Sequence, residues 1–267
     1  MDKEIVKEIY KWCKNIKQKM NIPDKIIRDD VFELLQKSNC TVLYYPLPDE
    51  VGAGDDGCAG CHVEKVIGER VEQFVFINTS NTRERQAFSA AHELGHIWQI
   101  DEKVYEALPE CRSVVSNEEI INRFAAELLM PEKEFCDILN EQLTEINYNG
   151  HSLSVAQLLE ISAYLMYYFF VPFKSVIRRY HELHRLTDED RDILFRYNNS
   201  ERLREIIKAK QYTRLLIVNS EKSMDNLQEI LIKADEAGIL DGNLVRKMRE
   251  EFDLKNIEEG ANVTVKF

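Results

Sequence analysis

The apolar and polar positions divide the chain into elements of different period. Residues 2–20 set Ile5, Val6, Ile9, Trp12, Cys13 and Ile16 on one stripe, the pattern of an amphipathic helix. Asn21, Ile22, Pro23 and Asp24 break that stripe. A second helix is expected over residues 30–38, then a strand over residues 41–45 that Pro46 ends. Residues 71–78, VEQFVFIN, form the clearest strand. Val71, Val75 and Ile77 share one face, and Phe74 and Phe76 the other, so both faces should be covered. Residues 47–62, LPDEVGAGDDGCAGCH, show no periodicity and read as a loop long enough to overhang a cleft. Asn81 or Thr82 can cap a helix over the following stretch, and Ser116 or Asn117 can cap another that Pro131 closes. Residues 101–115, with Pro109, Cys111 and Arg112, read as an irregular link. From Ser152 onward helices follow one another at short turns, first over residues 152–165, then over residues 173–185 after Pro172. Beyond residue 186 the chain is charged and helical. Gly238, Asp241 and Gly242 punctuate it, and residues 261–267 alternate like a short strand. The class is α+β, in three segments covering residues 1–148, 149–187 and 188–267.

Composition narrows the setting. With 267 residues, 44% of them hydrophobic and 31% charged, the chain resembles an ordinary globular protein rather than a disordered one. Its formal net charge of −12 opposes nucleic-acid backbones and anionic membranes. The first residues lack the apolar core of an export signal. No stretch approaches the roughly 18 apolar residues of a membrane span. Six scattered cysteines then point to reduced thiols and a cytoplasmic location. Cys58, Cys61 and His62 spell C-x-x-C-H, literally a haem-attachment motif. Without an export signal that reading fails. A structural zinc or a redox role for these residues stays open beside the plainer reading, loop cysteines without a role.

The chemistry concentrates in residues 87–100, AFSAAHELGHIWQI. On a helix, His92 and His96 stand one turn apart on one face and converge on one point, as two ligands of a tetrahedral ion must. Glu93 lies beside that face and suits a general base acting on water. Small Ala90, Ala91 and Gly95 let another backbone approach. The second predicted helix supplies a third ligand. Glu118 stands one turn before Asn122, and Asn122 can accept the free N–H of a ligating imidazole, although the sequence does not say whose. Glu119 is the rival ligand, but one turn on from it stands Arg123, which cannot accept that N–H. Glu127 projects elsewhere. Tyr105, Arg112 and His151 are candidate donors to a developing oxyanion.

His92-Glu93-Leu94-Gly95-His96, followed by Glu118, Asn122, Phe124, Ala125, Ala126, Leu128, Leu129, Met130 and Pro131, resembles the ImmA/IrrE family of bacterial metallopeptidases. Ile121 stands where that family usually has alanine, a departure in packing. The resemblance covers residues 40–131 best and weakens toward residue 187. It implies a zincin-like core, a small sheet plus the HExxH helix, carrying a thermolysin-like site in which Glu118 is the third ligand. A helix-turn-helix-like segment follows. The implied ion is Zn²⁺, with Mn²⁺ or Fe²⁺ also compatible with two imidazoles and a carboxylate. The implied role is regulatory endopeptidase, cleaving a helix-turn-helix repressor. The resemblance also lends residues 71–78 the role of the strand that edges the substrate cleft.

Two other classes remain open: a protein that sequesters a regulator without cleaving it, and a DNA-binding regulator with a vestigial site. A complete set of His92, Glu93, His96 and Glu118 argues against the first, and net acidity against the second. Residues 152–185 are expected to meet a protein rather than DNA, because Phe173, Val176, Ile177 and Tyr180 form a stripe that must be buried. Arg178 and Arg179 would carry its exposed face.

Overall fold

The structure is a computed structural model that describes residues 1–22, 26–47, 59–150 and 152–254. Helix α1, Lys3–Lys19, is capped by the Asp2 side chain and buries Ile5, Ile9 and Cys13. A 3₁₀ turn, Arg28–Asp30, leads into α2, Val31–Gln36, and then β1, Thr41–Tyr45. These elements match the sequence pattern; the one-face stripe of α1 is its buried side.

The sheet departs from expectation at one edge. Residues 60–62, read as the end of a loop, open strand β2, Gly60–Ile67, which pairs antiparallel with β3, Arg70–Asn78, across a turn at Gly68. Residues 48–58, the remainder of that expected loop, lie outside the described residues, as does Cys58. The strand was hidden because Cys61, Val63, Glu64 and Val66 are exposed, so no burial demand imposes alternation on this stretch. β3 also pairs in parallel with β1, and β1 pairs antiparallel with the two-residue β4, Ser223–Met224, giving the order β2-β3-β1-β4. β3 is therefore internal, and β2 is the outermost described strand on that side. Val75 and Ile77 are buried, but Val71 is exposed: the covered part of β3 is only its second half.

Behind the sheet lies α3, Arg83–Ile97, which contains His92, Glu93 and His96. Thr82 is its N-cap, yet its hydroxyl donates to Glu84 rather than accepting a backbone N–H. The expected irregular link is instead α4, Ile100–Ala107, and a 3₁₀ turn, Pro109–Ser113. Gln99 makes the corner between α3 and α4 with φ of 51°. Next comes α5, Asn117–Leu129, opened by a reciprocal Ser116–Glu119 capping box. Pro131 does close it, and is also the N-cap of α6, Glu132–Glu145. Helices α7, Val155–Phe169, and α8, Phe173–Glu182, form the predicted pair. Phe170, Val171 and Pro172 join them, Phe170 at φ of 57°, a left-handed conformation that is uncommon for a bulky residue. The Arg214 guanidinium lies 4.0 Å from its ring centroid. Four further helices complete the described chain: α9, Asp188–Phe195; α10, Glu201–Ala209; α11, Leu227–Glu236; and α12, Gly242–Glu251. The expected terminal strand, residues 261–267, lies outside the described residues.

One apolar core runs from Ile5 through Leu215, and a separate small cluster joins Leu227, Leu231 and Val245. The fold is thus α+β, a small mixed sheet among helices. Among the described residues no single helix is long and apolar enough to cross a membrane; α7 and α8 pass such a test only together, bent by 105°.

The stripe of α8 is buried as expected: Phe173, Val176, Ile177 and Tyr180 are each at most 2% exposed. Its arginines differ from expectation. Arg178 is exposed, but Arg179 is fully buried. Position 179 projects inward one helical turn after Ser175 and Val176, and there meets Glu127 of α5 at 2.6 Å and Glu182 at 3.2 Å. Arg123 joins the group at 3.5 Å from Glu127 and 2.8 Å from Glu182. This ion cluster ties α5 to α8. Burial pushes the Glu127 carboxyl up, and the Arg123 guanidinium pulls it back toward ionisation. Truncating Arg179 leaves that carboxylate short of a partner. Arg179→Met should therefore cost about 3–5 kcal/mol in denaturant unfolding. With its folded pKa raised further above the unfolded value of about 4.3, Glu127 binds protons more tightly in the folded state, so stability falls as pH rises through that window. The loss should be larger at pH 8 than at pH 5; an equal loss at both would mean that Glu127 does not carry it.

Candidate metal centre

The site is assembled by a close crossing of α3 and α5. Gly95 permits it. A Cβ built there would sit 3.0 Å from Ile121 Cγ2 and 3.1 Å from Phe124 Cδ1, closer than side-chain carbons normally approach. The crossing brings the first turn of α5 over the face of α3 that carries the two imidazoles. The capping box at Ser116 fixes where that turn begins. It also occupies Glu119, whose carboxylate accepts from the Ser116 amide at 2.9 Å and its hydroxyl at 2.8 Å. Glu118, the neighbour that the cap leaves unengaged, points to the histidines.

Three donors result: His92, His96 and Glu118, with one ligand atom from each lying within 4.8 Å of the others. His92 Nε2 is 3.1 Å from His96 Nε2 and 3.2 Å from Glu118 Oε2, and His96 Nε2 is 3.5 Å from Glu118 Oε1. A tetrahedral ion with bonds of about 2.0–2.1 Å requires ligand-to-ligand separations of roughly 3.3 Å. The donor set therefore fits such an ion in both chemistry and spacing. Asn122 Oδ1 lies 3.2 Å from His92 Nδ1, so it is His92 that Asn122 serves. With the proton on Nδ1, the lone pair of Nε2 faces the centre. Burial, then the adjacent His96, holds the His92 pKa below the ordinary range; both favour the neutral, ligating form.

Glu93 is 4% exposed. Burial, and secondarily the Glu118 carboxylate, pushes its pKa up to about 8; a cation held by the three donors would oppose that shift. Its neighbour across the site is the start of β2. A Cβ on Gly60 would lie 3.1 Å from Glu93 Oε1 and 3.0 Å from the Phe76 carbonyl oxygen. The edge strand therefore passes the carboxylate at a distance only glycine allows.

Two of the candidate oxyanion donors, Tyr105 and Arg112, are engaged elsewhere. The Tyr105 hydroxyl is buried and hydrogen-bonded to the Val115 carbonyl and Asn117 Oδ1. Arg112 donates to Glu102 at 2.7 Å and stacks over Tyr105. Both brace the start of α5. His151 lies outside the described residues. The sequence reading missed a different imidazole. His62, on β2, lies parallel to the His96 ring at a centroid distance of 6.2 Å, with its Nε2 buried and without a hydrogen-bond partner. Only recognition of β2 as a strand crossing α3 could have signalled it.

A profile of the IrrE N-terminal-like domain, the Peptidase M78 family, matches residues 35–181, more than half of the chain. The chain belongs to this family. No curated protein and no solved structure matches it. Membership points to a peptidase, and the matched span holds every donor just described together with the α7–α8 pair.

If the three donors bind one ion, the purified protein should carry about one transition metal per chain. Elemental analysis of His92→Ala, His96→Ala and Glu118→Ala should find it lost, and of Glu119→Ala retained. Metal kept in Glu118→Ala and lost in Glu119→Ala would reverse the assignment of the third ligand.

Proposed function

We propose that the chain is a zinc-dependent endopeptidase with a zincin-like core, and that its substrate is a helix-turn-helix repressor. The observation that carries the reading is the donor set: two imidazoles and a carboxylate at tetrahedral spacing, with a buried carboxylate beside them. A member of a peptidase family needs this combination. The repressor as substrate rests on the family alone.

His92, His96 and Glu118 would hold the ion and leave a fourth position open. A Zn²⁺ ion held by these residues would supply Lewis acidity toward the scissile carbonyl and the attacking water. Asn122 fixes the His92 ring so that its Nε2 stays directed at the centre. Glu93 takes a proton from the water and returns it to the leaving nitrogen. Its burial keeps that proton from exchanging with bulk solvent, and Gly60 keeps the strand backbone beside it. An extended substrate adds alongside β2, the outermost described strand on that side, since β3 is paired on both sides.

Glu93→Gln should keep the fold and the metal, because glutamine is close in shape, yet it cannot accept the proton. Cleavage of a helix-turn-helix repressor that the wild type cuts should fall by about 10²–10⁴-fold, measured on gels against a chelator-treated control. Substantial turnover in that variant would remove Glu93 as the base. Repressor bound but never cut, by wild type and variant alike, would favour sequestration.

A further inference from the structure

Strand β2 and helix α3 run in step past the candidate centre. Two residues of a strand rise about 6.8 Å and one turn of helix about 5.4 Å, so successive inward positions of β2 meet successive turns of α3. Gly60 and His62 are two such positions, separated by Cys61, which faces outward and is exposed. At Gly60 the strand passes against Ser89 and Glu93, where an added Cβ would be crowded. At His62 the next turn presents His96, and an imidazole fills the gap. The two rings are parallel to within 10° at a centroid distance of 6.2 Å, in the range of offset stacking. The sheet holds His62 from behind. His62 pairs with Val75 of β3, and Gln73, two residues from Val75 on the same face, adjoins the ring. His62 Nε2 and Gln73 Oε1 are both buried, and neither completes a hydrogen bond among the described residues. The imidazole is thus confined between the sheet and His96.

The two histidines of the donor set are supported differently. His92 is oriented by Asn122 through Nδ1. Among the described residues the ring contacts of His96 are with His92, itself a donor, and with His62. We propose that His62 is a positioning residue for the metal centre, its face holding the His96 ring in the plane that directs Nε2 at the ion. The proposal rests on the metal-centre reading above. Two effects act in the same direction. A ring that turns about χ2 spends part of its time with Nε2 directed away, and the apparent affinity for the ion falls by that fraction. An imidazole bound to a dication also gives up electron density, and a neutral aromatic face beside it is stabilising. Both effects need a flat ring at position 62, and neither needs its nitrogens. The geometry does not make His62 a ligand: it stands outside the group of His92, His96 and Glu118, whose ligand atoms lie within 4.8 Å of one another.

The test measures zinc affinity of the full-length protein against a chromogenic chelator, for wild type and for His62→Phe, His62→Leu and His62→Ala. Phenylalanine keeps a flat ring, whereas leucine fills the space without one. His62→Phe should bind zinc within about twofold of the wild type, and His62→Leu and His62→Ala should bind it about three- to tenfold more weakly. The metal-free Phe and Leu variants should unfold at the same denaturant midpoint, which separates stacking on His96 from packing in general. Loaded with Co²⁺ instead, His62→Phe should keep the visible absorption bands of the wild type, because the ligands are unchanged. Equal affinity in the Phe and Leu variants would reduce His62 to a spacer and overturn the proposal. A loss as large in His62→Phe as in His62→Ala, or altered Co²⁺ bands in His62→Phe, would make His62 a ligand and overturn it too. Full zinc affinity in His62→Phe with cleavage lost would move His62 to the substrate, with the same consequence. Each of these results leaves the metal centre standing. A wild-type protein that binds no zinc would remove the centre itself, and the role of His62 with it.

Discussion

The closeness of α3 and α5 at Gly95 is the constraint on which the rest depends. Two histidines one turn apart arise wherever H-x-x-x-H falls on a helix. A third donor at tetrahedral distance arises only if a second helix crosses at the right height. Ile121 and Phe124 fill the space where a Gly95 side chain would stand, and this fixes the height. The Ser116–Glu119 cap fixes the rotation at which the helix begins, leaving Glu118 to point inward. The buried ion cluster then anchors the far end of α5 to α8 through Glu127 and Arg179. One helix thus links the candidate metal centre to α8. The same packing that sets the donors also sets the position of Arg178 relative to Glu93.

Polar groups buried in this way cost desolvation, and in two cases here a specific partner offsets it. Arg179 is offset by Glu127 and Glu182. The Tyr105 hydroxyl is offset by the Val115 carbonyl. Among the described residues Glu93 has no such partner, and burial raises its pKa. A buried carboxylate without a counter-charge is unfavourable for stability but suits a group that must take up a proton. A bound cation would supply the missing charge, which couples occupancy of the centre to the ionisation of the proposed base.

Most of this was legible where burial imposes a period. The stripes of α1 and α8, the strands β1 and β3, and the H-x-x-x-H face are all set by burial against a core, so the apolar pattern records them. The Glu118 and Glu119 alternatives were separable in principle, because Ser116 three residues before Glu119 is a capping-box signature; the structure shows that box formed. What escaped lacks such a pattern. β2 is an exposed edge whose side chains answer to no core, so its composition read as loop, and with it His62 and the Gly60 contact went unseen. Arg179 read as surface because arginine is seldom fully buried; only the position of Glu127 across the interface, fifty-two residues away, explains it.

The most direct measurement of the central claim is zinc affinity in Gly95→Ala. The added methyl leaves every proposed ligand in place and favours the helix intrinsically, but forces Ile121 and Phe124 back. Titration against a chromogenic chelator should show zinc binding weakened by about 10–100-fold, and Ile121→Ala in the same chain should restore most of it by relieving the contact. Unchanged affinity in Gly95→Ala, or a loss that Ile121→Ala does not relieve, would contradict the claim that this crossing builds the site.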